Sequence, residues 1–125
     1  MGIKIIKFIP SIIWGALILV ASFMPSHHIR DSWFLFENED KVIHACMYFG
    51  LAILLLHNSR HFVTYTIRYI LILTLCVAAF GGLIEILQPI LSTRTADFND
   101  FVANSCGAII AALLFYYCLK RREKI

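Results

Sequence analysis

The stretch that decides the fold is residues 69–91, YILILTLCVAAFGGLIEILQPIL, which runs for 23 residues with a single charged side chain. An α-helix needs about 20 predominantly apolar residues to cross the hydrocarbon core of a bilayer. The stretch therefore predicts a transmembrane helix. Near its end it carries the carboxylate of Glu85 and the amide of Gln88, and an ionisable side chain such as that of Glu85 is rare within a membrane span.

The rest of the chain has the same apolar character. Of the 125 residues, 60% are hydrophobic and 15% are charged, and the mean hydropathy is +0.79. A soluble domain of 14.3 kDa leaves roughly a third of its unfolded surface in water, so it could not bury so many apolar side chains. This composition excludes an ordinary water-soluble enzyme. High hydrophobicity with a net charge of only +3 also excludes a disordered chain. Because the basic residues are scattered, we expect no nucleic-acid partner.

Three further apolar runs complete the prediction of an all-α, polytopic membrane protein, a four-helix transmembrane bundle that forms one domain over residues 1–125. The predicted spans are residues 8–25, 41–57, 69–91 and 101–119. Pro10 falls in the first turn of the first span, where a missing N–H costs little. The lysines before this span resemble the start of a signal peptide, but no convincing cleavage site follows, so we expect an uncleaved helix.

Basic residues in the connections predict the orientation of the helices, because short cytoplasmic segments are enriched in Lys and Arg. Three of them, Arg30, Lys41 and Arg94, fall on one side of the predicted topology, and eight fall on the other. We therefore expect both termini to be cytoplasmic and residues 25–41 and 92–100 to face outward from the inner (cytoplasmic) membrane. The eight residues on the cytoplasmic side are Lys4, Lys7, Arg60, Arg68, Lys120, Arg121, Arg122 and Lys124.

The four cysteines, at positions 46, 76, 106 and 118, all fall inside the predicted spans. Their spacing fits no metal-ligand pattern, and free cysteine is a common filler of apolar interiors. We therefore expect reduced, buried thiols and no disulfide bonds. The sequence predicts no dedicated metal site and no cofactor.

Polar side chains collect at one end of the predicted spans. Asp40, His44 and Tyr48 follow one another at intervals of four residues, so they share one face of the second helix. The carboxylate and the amide of the third span lie one turn apart on a common face, and further polar residues open the fourth span. The predicted ligand-binding residues are Asp40, Lys41, His44, Tyr48, Glu85, Gln88, Arg94, Asp97, Asp100 and Asn104.

Most of these residues also have an ordinary structural explanation. Aspartates cap helices, tyrosines lie at membrane interfaces, and amides form hydrogen bonds between neighbouring helices. The carboxylate of Glu85 is harder to explain in this way, because within a span it must find a partner or a proton. We therefore expect one connected network centred on Glu85, with Lys41, His44 and Arg94 as the available partners.

The combination of three motifs resembles the VanZ-like family of small bacterial membrane proteins. The motifs are D-K-x-x-H from Asp40, E-x-x-Q from Glu85 and R-x-x-D-x-x-D-x-x-x-N from Arg94, and the resemblance covers roughly residues 12–115. It implies a four-helix membrane protein of the cell envelope. The member that gives the family its name is linked to reduced susceptibility to the glycopeptide antibiotic teicoplanin. The resemblance implies no particular reaction.

Three functions are consistent with this outward polar site. In the first, the protein binds a ligand through cationic and hydrogen-bonding groups, Lys41 and Arg94 among them. The ligand is either the head group of a membrane lipid, such as a lipid-linked cell-wall precursor, or the glycopeptide itself. In the second, the protein is an enzyme acting on such a lipid. Glu85 or His44 is then the candidate general base, and two aspartates position a divalent metal with the imidazole. In the third, the network fixes helix register in a scaffold, as a homo-oligomer or as the partner of a larger envelope enzyme. The two aspartates of the second hypothesis are Asp97 and Asp100.

Overall fold

A computed structural model describes residues 2–25, 39–60 and 62–122, with side chains from residue 5 onward. These residues form four α-helices, and none of them lies in a β-strand. All four helices are long and apolar enough to cross a membrane, which confirms the predicted all-α fold class. Arg30 and Lys124, which enter the predicted orientation, lie outside the described residues. The helices are α1 (Gly2–Phe23), α2 (Glu39–Ser59), α3 (Ile67–Leu91) and α4 (Phe98–Arg122).

The last three helices begin before the apolar runs that predict them, because polar residues extend or cap their ends. The hydroxyl of Thr66 accepts a hydrogen bond from the backbone N–H of Tyr69 at 3.2 Å and so caps α3. The side chain of Asp97 accepts a hydrogen bond from the backbone N–H of Asn99 at 2.8 Å at the start of α4. Each cap satisfies an N–H group that has no partner within the helix.

The first helix differs most from its prediction. It begins at Gly2, so Pro10 lies in the helix interior and not in the first turn, as we predicted. The predicted boundary was wrong because the helical backbone begins at Gly2, whereas Lys4 and Lys7 interrupt the apolar run before residue 8. The helix ends at Phe23, before the predicted limit, because the residue preceding Pro25 is disfavoured in helical conformation.

Helix α2 packs against each of the other three helices. Its backbone lies very close to that of α4, because a Cβ atom added to Gly107 would lie 2.1 Å from the carbonyl oxygen of Ala45. The fully buried residues Ala52, Ala108 and Ala111 are also small, and small side chains allow membrane helices to approach closely. The core is completed by Ile18, Tyr48, Leu51, Val77 and Ile84.

The outer surface of the bundle is apolar, and Leu75, Ile86 and Ile90 are among its exposed side chains. This surface suits contact with acyl chains, which are as apolar as the side chains themselves. All four cysteines are free and exposed on it. The prediction that the thiols are buried was therefore wrong. The environment of the thiols is still apolar, because lipid acyl chains can surround them in place of the protein core.

Buried hydrogen bonds attach α1 to its neighbours at both ends. The side-chain amide of Gln88 donates to the backbone carbonyl of Ser22 at 3.2 Å, at the end of the bundle where α3 finishes. At the opposite end, the amide of Asn58 donates to the hydroxyl of Ser11 at 2.8 Å. Sequence reasoning missed this second pair, because one Asn and one Ser far apart in the chain give no joint signal.

Candidate functional site

The polar side chains of three helices meet at one end of the bundle. This end contains the first turns of α2 and α4 and the last turns of α3, because consecutive helices run in opposite directions. The exposed fraction of these side chains falls from the rim of the polar cluster to its interior. At the rim, the side chains of Asp40 and Asp97 are 41% and 39% exposed. In the interior, Tyr48, Gln88 and Asn104 are almost completely buried.

Lys41 is the centre of an ion-pair network at the rim. Its ammonium nitrogen lies 2.9 Å from Asp40 Oδ2, 2.7 Å from Asp97 Oδ2 and 2.5 Å from Asp100 Oδ1. One positive charge therefore serves three carboxylates, which come from α2, from the residue before α4 and from the first turn of α4. We predicted that Lys41 adds positive charge for a ligand, but its ammonium is already bound by aspartates of the protein. The network leaves the site with more negative than positive charge.

Asp97 connects this network to the backbone of α4 and to a side chain of α3. Besides capping α4 and binding Lys41, it donates its backbone N–H to Glu85 Oε2 at 3.3 Å. The hydrogen bond from Lys41 holds the pKa of Asp97 below its ordinary value of 3.8. Asp97 is therefore both a helix cap and a member of the polar cluster, two roles that the sequence presents as alternatives.

Replacing Asp97 with Asn should reduce the loss of stability in acid. A carboxyl group with a lowered pKa in the folded state contributes stability that is present above the unfolded value of 3.8 and is lost as the pH falls through the folded value. The asparagine variant lacks this contribution but keeps an oxygen that can cap the helix. Unfolding in detergent should be measured from about pH 6 to about pH 3, on either side of the ordinary range for Asp. An equally steep fall in both proteins would contradict the prediction.

Three ionisable side chains from three helices meet in the interior of the cluster. They are His44 of α2, Glu85 of α3 and Asp100 of α4, and one ligand atom from each lies within 4.8 Å of the others. All three residues are buried. The sequence predicts that His44 and Glu85 converge, and the structure places them together. The interior is thus rich in acceptors and poor in positive charge.

The imidazole of His44 has a defined orientation. Its Nδ1 atom lies 3.0 Å from the side-chain oxygen of Asn104. Because an amide oxygen can only accept a hydrogen bond, Nδ1 carries the hydrogen. In the neutral ring the lone pair is then on Nε2, which lies 3.8 Å from Asp100 Oδ2. In that tautomer, Nε2 has a lone pair that can bind a cation or accept a hydrogen bond.

Four buried polar atoms of the cluster have no hydrogen-bond partner within the described part of the chain. Leaving a buried polar group unpaired costs about 1 to 3 kcal/mol, and native proteins rarely do so several times in one place. The group includes two carbonyl-type acceptors, an amide donor and a hydroxyl that can do both. Such a set indicates partners that are not part of this helix bundle. The atoms are the hydroxyl of Tyr48, Glu85 Oε1, Gln88 Oε1 and Asn104 Nδ2.

Arg94 lies between α3 and α4 at the side of Glu85. It is partly buried, and its backbone N–H donates to the hydroxyl of Ser92 at 3.0 Å. The guanidinium is close enough to Glu85 for electrostatic attraction but donates no hydrogen bond to any residue in the described ranges. Of the two cations that we predicted at the site, Lys41 and Arg94, the second is therefore the one whose N–H groups are available to bind a ligand.

An apolar crevice of about 490 Å³ lies between α1, α2 and α3. Leu55, Ile72 and Phe80 are among the side chains that line it. The ring of Phe80 packs against Tyr48, with 6.3 Å between the ring centroids. Phe80 therefore lines the crevice and also contacts a residue of the polar cluster.

The similarity of the chain to known proteins extends from the first helix to the last. Residues 4–120 match the family model described as VanZ/LLP1. The chain belongs to the VanZ/LLP1 family. No curated protein and no solved structure matches it. The family resemblance given by the sequence motifs is thereby confirmed, and the polar cluster belongs to a VanZ/LLP1 membrane protein.

Sequence reasoning missed Gly81, which helps to close this VanZ/LLP1 bundle around its cluster. A Cβ atom at Gly81 would lie 3.0 Å from the ring of Tyr48 and 3.2 Å from the side chain of Asn104. Glycine in a span often marks a close helix contact. The tandem glycines of α3 carried that signal, but only the packing shows that Gly81 faces the polar residues, whereas Gly82 faces the ring of Phe101.

Proposed function

We propose that this VanZ/LLP1 protein binds the head group of a lipid-linked cell-envelope precursor, and that a connection with teicoplanin-type resistance follows from this binding. The supporting observation is the set of buried polar atoms without partners in the described residues, one of which belongs to Glu85, the carboxyl group that interacts electrostatically with the guanidinium of Arg94. A head group that contains phosphate and amide or hydroxyl groups offers complements to all of them. Arginine binds phosphate through two parallel hydrogen bonds, and an amide N–H group suits the acceptor of Gln88.

The apolar crevice favours a lipid over a water-soluble ligand. It adjoins the polar cluster through Phe80 and Tyr48, and its lining is suited to a hydrocarbon chain. A molecule with a polar head and a long chain would therefore find both of its parts accommodated on one protein. The glycopeptide drug, which is the other ligand considered, is a competitor in the experiment below.

The distribution of basic residues supports a site that faces outward from the cytoplasmic membrane. At the end of the bundle opposite the cluster, the ammonium of Lys7 lies 5.6 Å from the ring centroid of Phe62, and that of Lys120 lies 5.4 Å from the centroid of Tyr116. Aromatic and basic side chains together are typical of a membrane interface, and excess positive charge is typical of its cytoplasmic side. At the other end, the charge of Lys41 is balanced by aspartates.

Replacing Arg94 with Ala should weaken binding of such a lipid by about 10- to 100-fold, because hydrogen bonds to charged groups contribute about 1.5 to 3 kcal/mol each. The probe is a fluorescent lipid-linked muropeptide precursor, titrated into nanodiscs that contain the protein. The matched control is Arg68→Ala, which removes an exposed arginine from the opposite end of the bundle. It should leave the affinity unchanged, and both variants should insert and fold normally.

Equal binding by wild type and Arg94→Ala would refute this assignment of the site. Addition of teicoplanin in a second titration distinguishes the two ligands, since displacement of the lipid would assign the same cluster to the drug. The scaffold hypothesis gives a third pattern. In that case neither ligand binds, and Glu85→Gln keeps normal stability because an amide can still accept a hydrogen bond.

A further inference from the structure

The meeting point of His44, Glu85 and Asp100 has the composition of a metal site. One side chain comes from each of three helices, and one ligand atom from each lies within 4.8 Å of the others. Their residues are 7%, 5% and 3% exposed, respectively, so none of them is a surface group that water already satisfies. Nitrogen and carboxylate oxygen atoms in this number are typical ligands of divalent metals.

Each of the three side chains is held by the protein through one polar atom and has another atom left. The Nδ1 of His44 lies 3.0 Å from the Asn104 oxygen, and its Nε2 faces Asp100. Asp100 Oδ1 accepts from Lys41, whereas its Oδ2 faces the imidazole at 3.8 Å. Outer hydrogen bonds of this kind orient metal ligands and fix the histidine tautomer.

Glu85 gives the independent sign that a ligand belongs here. Its Oε2 accepts the backbone N–H of Asp97, but its Oε1 is buried and has no hydrogen-bond partner within the described residues. A carboxylate oxygen is the strongest acceptor in the protein inventory, and leaving it buried and unpaired is costly. A cation at this position would satisfy it directly.

The charges of the interior point in the same direction. Two buried carboxyl groups, those of Glu85 and Asp100, meet one imidazole here, and the nearest ammonium, that of Lys41, is shared with Asp40 and Asp97 as well. Buried charge of one sign requires compensation. We propose that His44, Glu85 and Asp100 bind one divalent transition-metal ion.

The ligand set favours a first-row transition metal such as Zn²⁺ or Mn²⁺ over Mg²⁺ or Ca²⁺, because imidazole suits transition metals and the other two ions prefer oxygen ligands. Ligands at about 2.1 Å from a shared ion lie about 3 to 4 Å apart. The 3.8 Å between His44 Nε2 and Asp100 Oδ2 is already in this range. Three protein ligands also leave a coordination position open, as in sites that bind water or a substrate oxygen. The ion would bind whether or not a lipid head group does.

Metal binding should be measured on the full chain in detergent after removal of metals with a chelator. Titration with Zn²⁺ or Mn²⁺ alone, followed by elemental analysis, should give one ion per chain and a rise in the unfolding temperature. Mg²⁺ and Ca²⁺ at the same concentrations should bind at least tenfold more weakly. In the Mn²⁺-loaded protein, electron spin-echo modulation should detect one directly coordinated nitrogen.

The variants Glu85→Gln and His44→Gln should each lower metal affinity at least tenfold, and His44→Gln should abolish the nitrogen signal. The matched control is His57→Gln, because His57 is an exposed imidazole at the other end of the same helix. It should change neither result. Substoichiometric metal in the wild type, or a nitrogen signal that persists in His44→Gln, would overturn the proposal. The spectroscopic test on wild type holds even where a variant fails to fold.

Discussion

Replacing Lys41 with Met should lower the free energy of unfolding by about 3 kcal/mol. Removing one partner of a buried ion pair typically costs about 3 to 5 kcal/mol, because the remaining charge is left without compensation. Here one substitution leaves three carboxylates together, and that of Asp100 is only 5% exposed. The lower end of the range applies, since Asp40 and Asp97 are partly exposed. Titration with a denaturing detergent, followed by circular dichroism, measures the change.

The matched control for this prediction is Lys120→Met. The ammonium of Lys120 is exposed and lies 5.4 Å from the ring centroid of Tyr116. An exposed contact between a cation and an aromatic ring contributes about 0.5 to 1 kcal/mol, so the control should lose no more than that. Equal losses in the two variants would show that the aspartates do not depend on Lys41.

Replacing Gly107 with Ala should also destabilise the protein, by about 3 kcal/mol, which is the upper part of the usual range for overpacking. The new methyl group would lie 2.1 Å from the backbone oxygen of Ala45 and 2.8 Å from its carbonyl carbon. A backbone cannot rotate away as a side chain can, so α2 and α4 would have to separate. That separation would also move the residues that α2 and α4 contribute to the polar cluster.

Gly15→Ala makes the same chemical change without the clash. The nearest atom to its new methyl group would be Leu51 Cδ1 at 3.9 Å, an ordinary contact. Because alanine is favoured over glycine in a helix by about 0.5 to 1 kcal/mol, this variant should be as stable as the wild type or slightly more so. The unfolding curve of Gly107→Ala should therefore move to lower stability, whereas that of Gly15→Ala should stay at or slightly above that of the wild type. Similar curves would rule out the close approach of α2 and α4.

The sequence predicts the helices well because a bilayer imposes one strong condition, a long apolar run, on every span. It also predicts that polar residues gather at one end, since Asp40, His44 and Tyr48 share a helix face and the polar residues of α3 lie near its end. These are properties of one helix at a time. They follow from the spacing of residues along the chain.

The pairing of the polar residues could not be predicted in the same way. Nothing in the spacing shows that Lys41 is shared among aspartates, or that the imidazole of His44 is oriented by Asn104. Both depend on how α2 and α4 are rotated against each other, which is set by close contacts at Gly107. The position of Pro10 could not be predicted for a different reason. The apolar run that predicts α1 is shorter than the helix, so it does not show where the helical backbone begins.

The thiols exposed on the outer surface of the bundle are natural attachment points for probes of membrane depth. Cys46 and Cys106 occur early in α2 and α4, whereas Cys118 occurs near the end of α4. At 1.5 Å of rise per helical residue, the two α4 thiols are separated by about 18 Å along the helix axis. A fluorophore attached to one thiol, with the other exposed cysteines replaced by alanine and quenchers placed at known levels of the bilayer, would therefore report the tilt and immersion of the protein without any substitution in its interior.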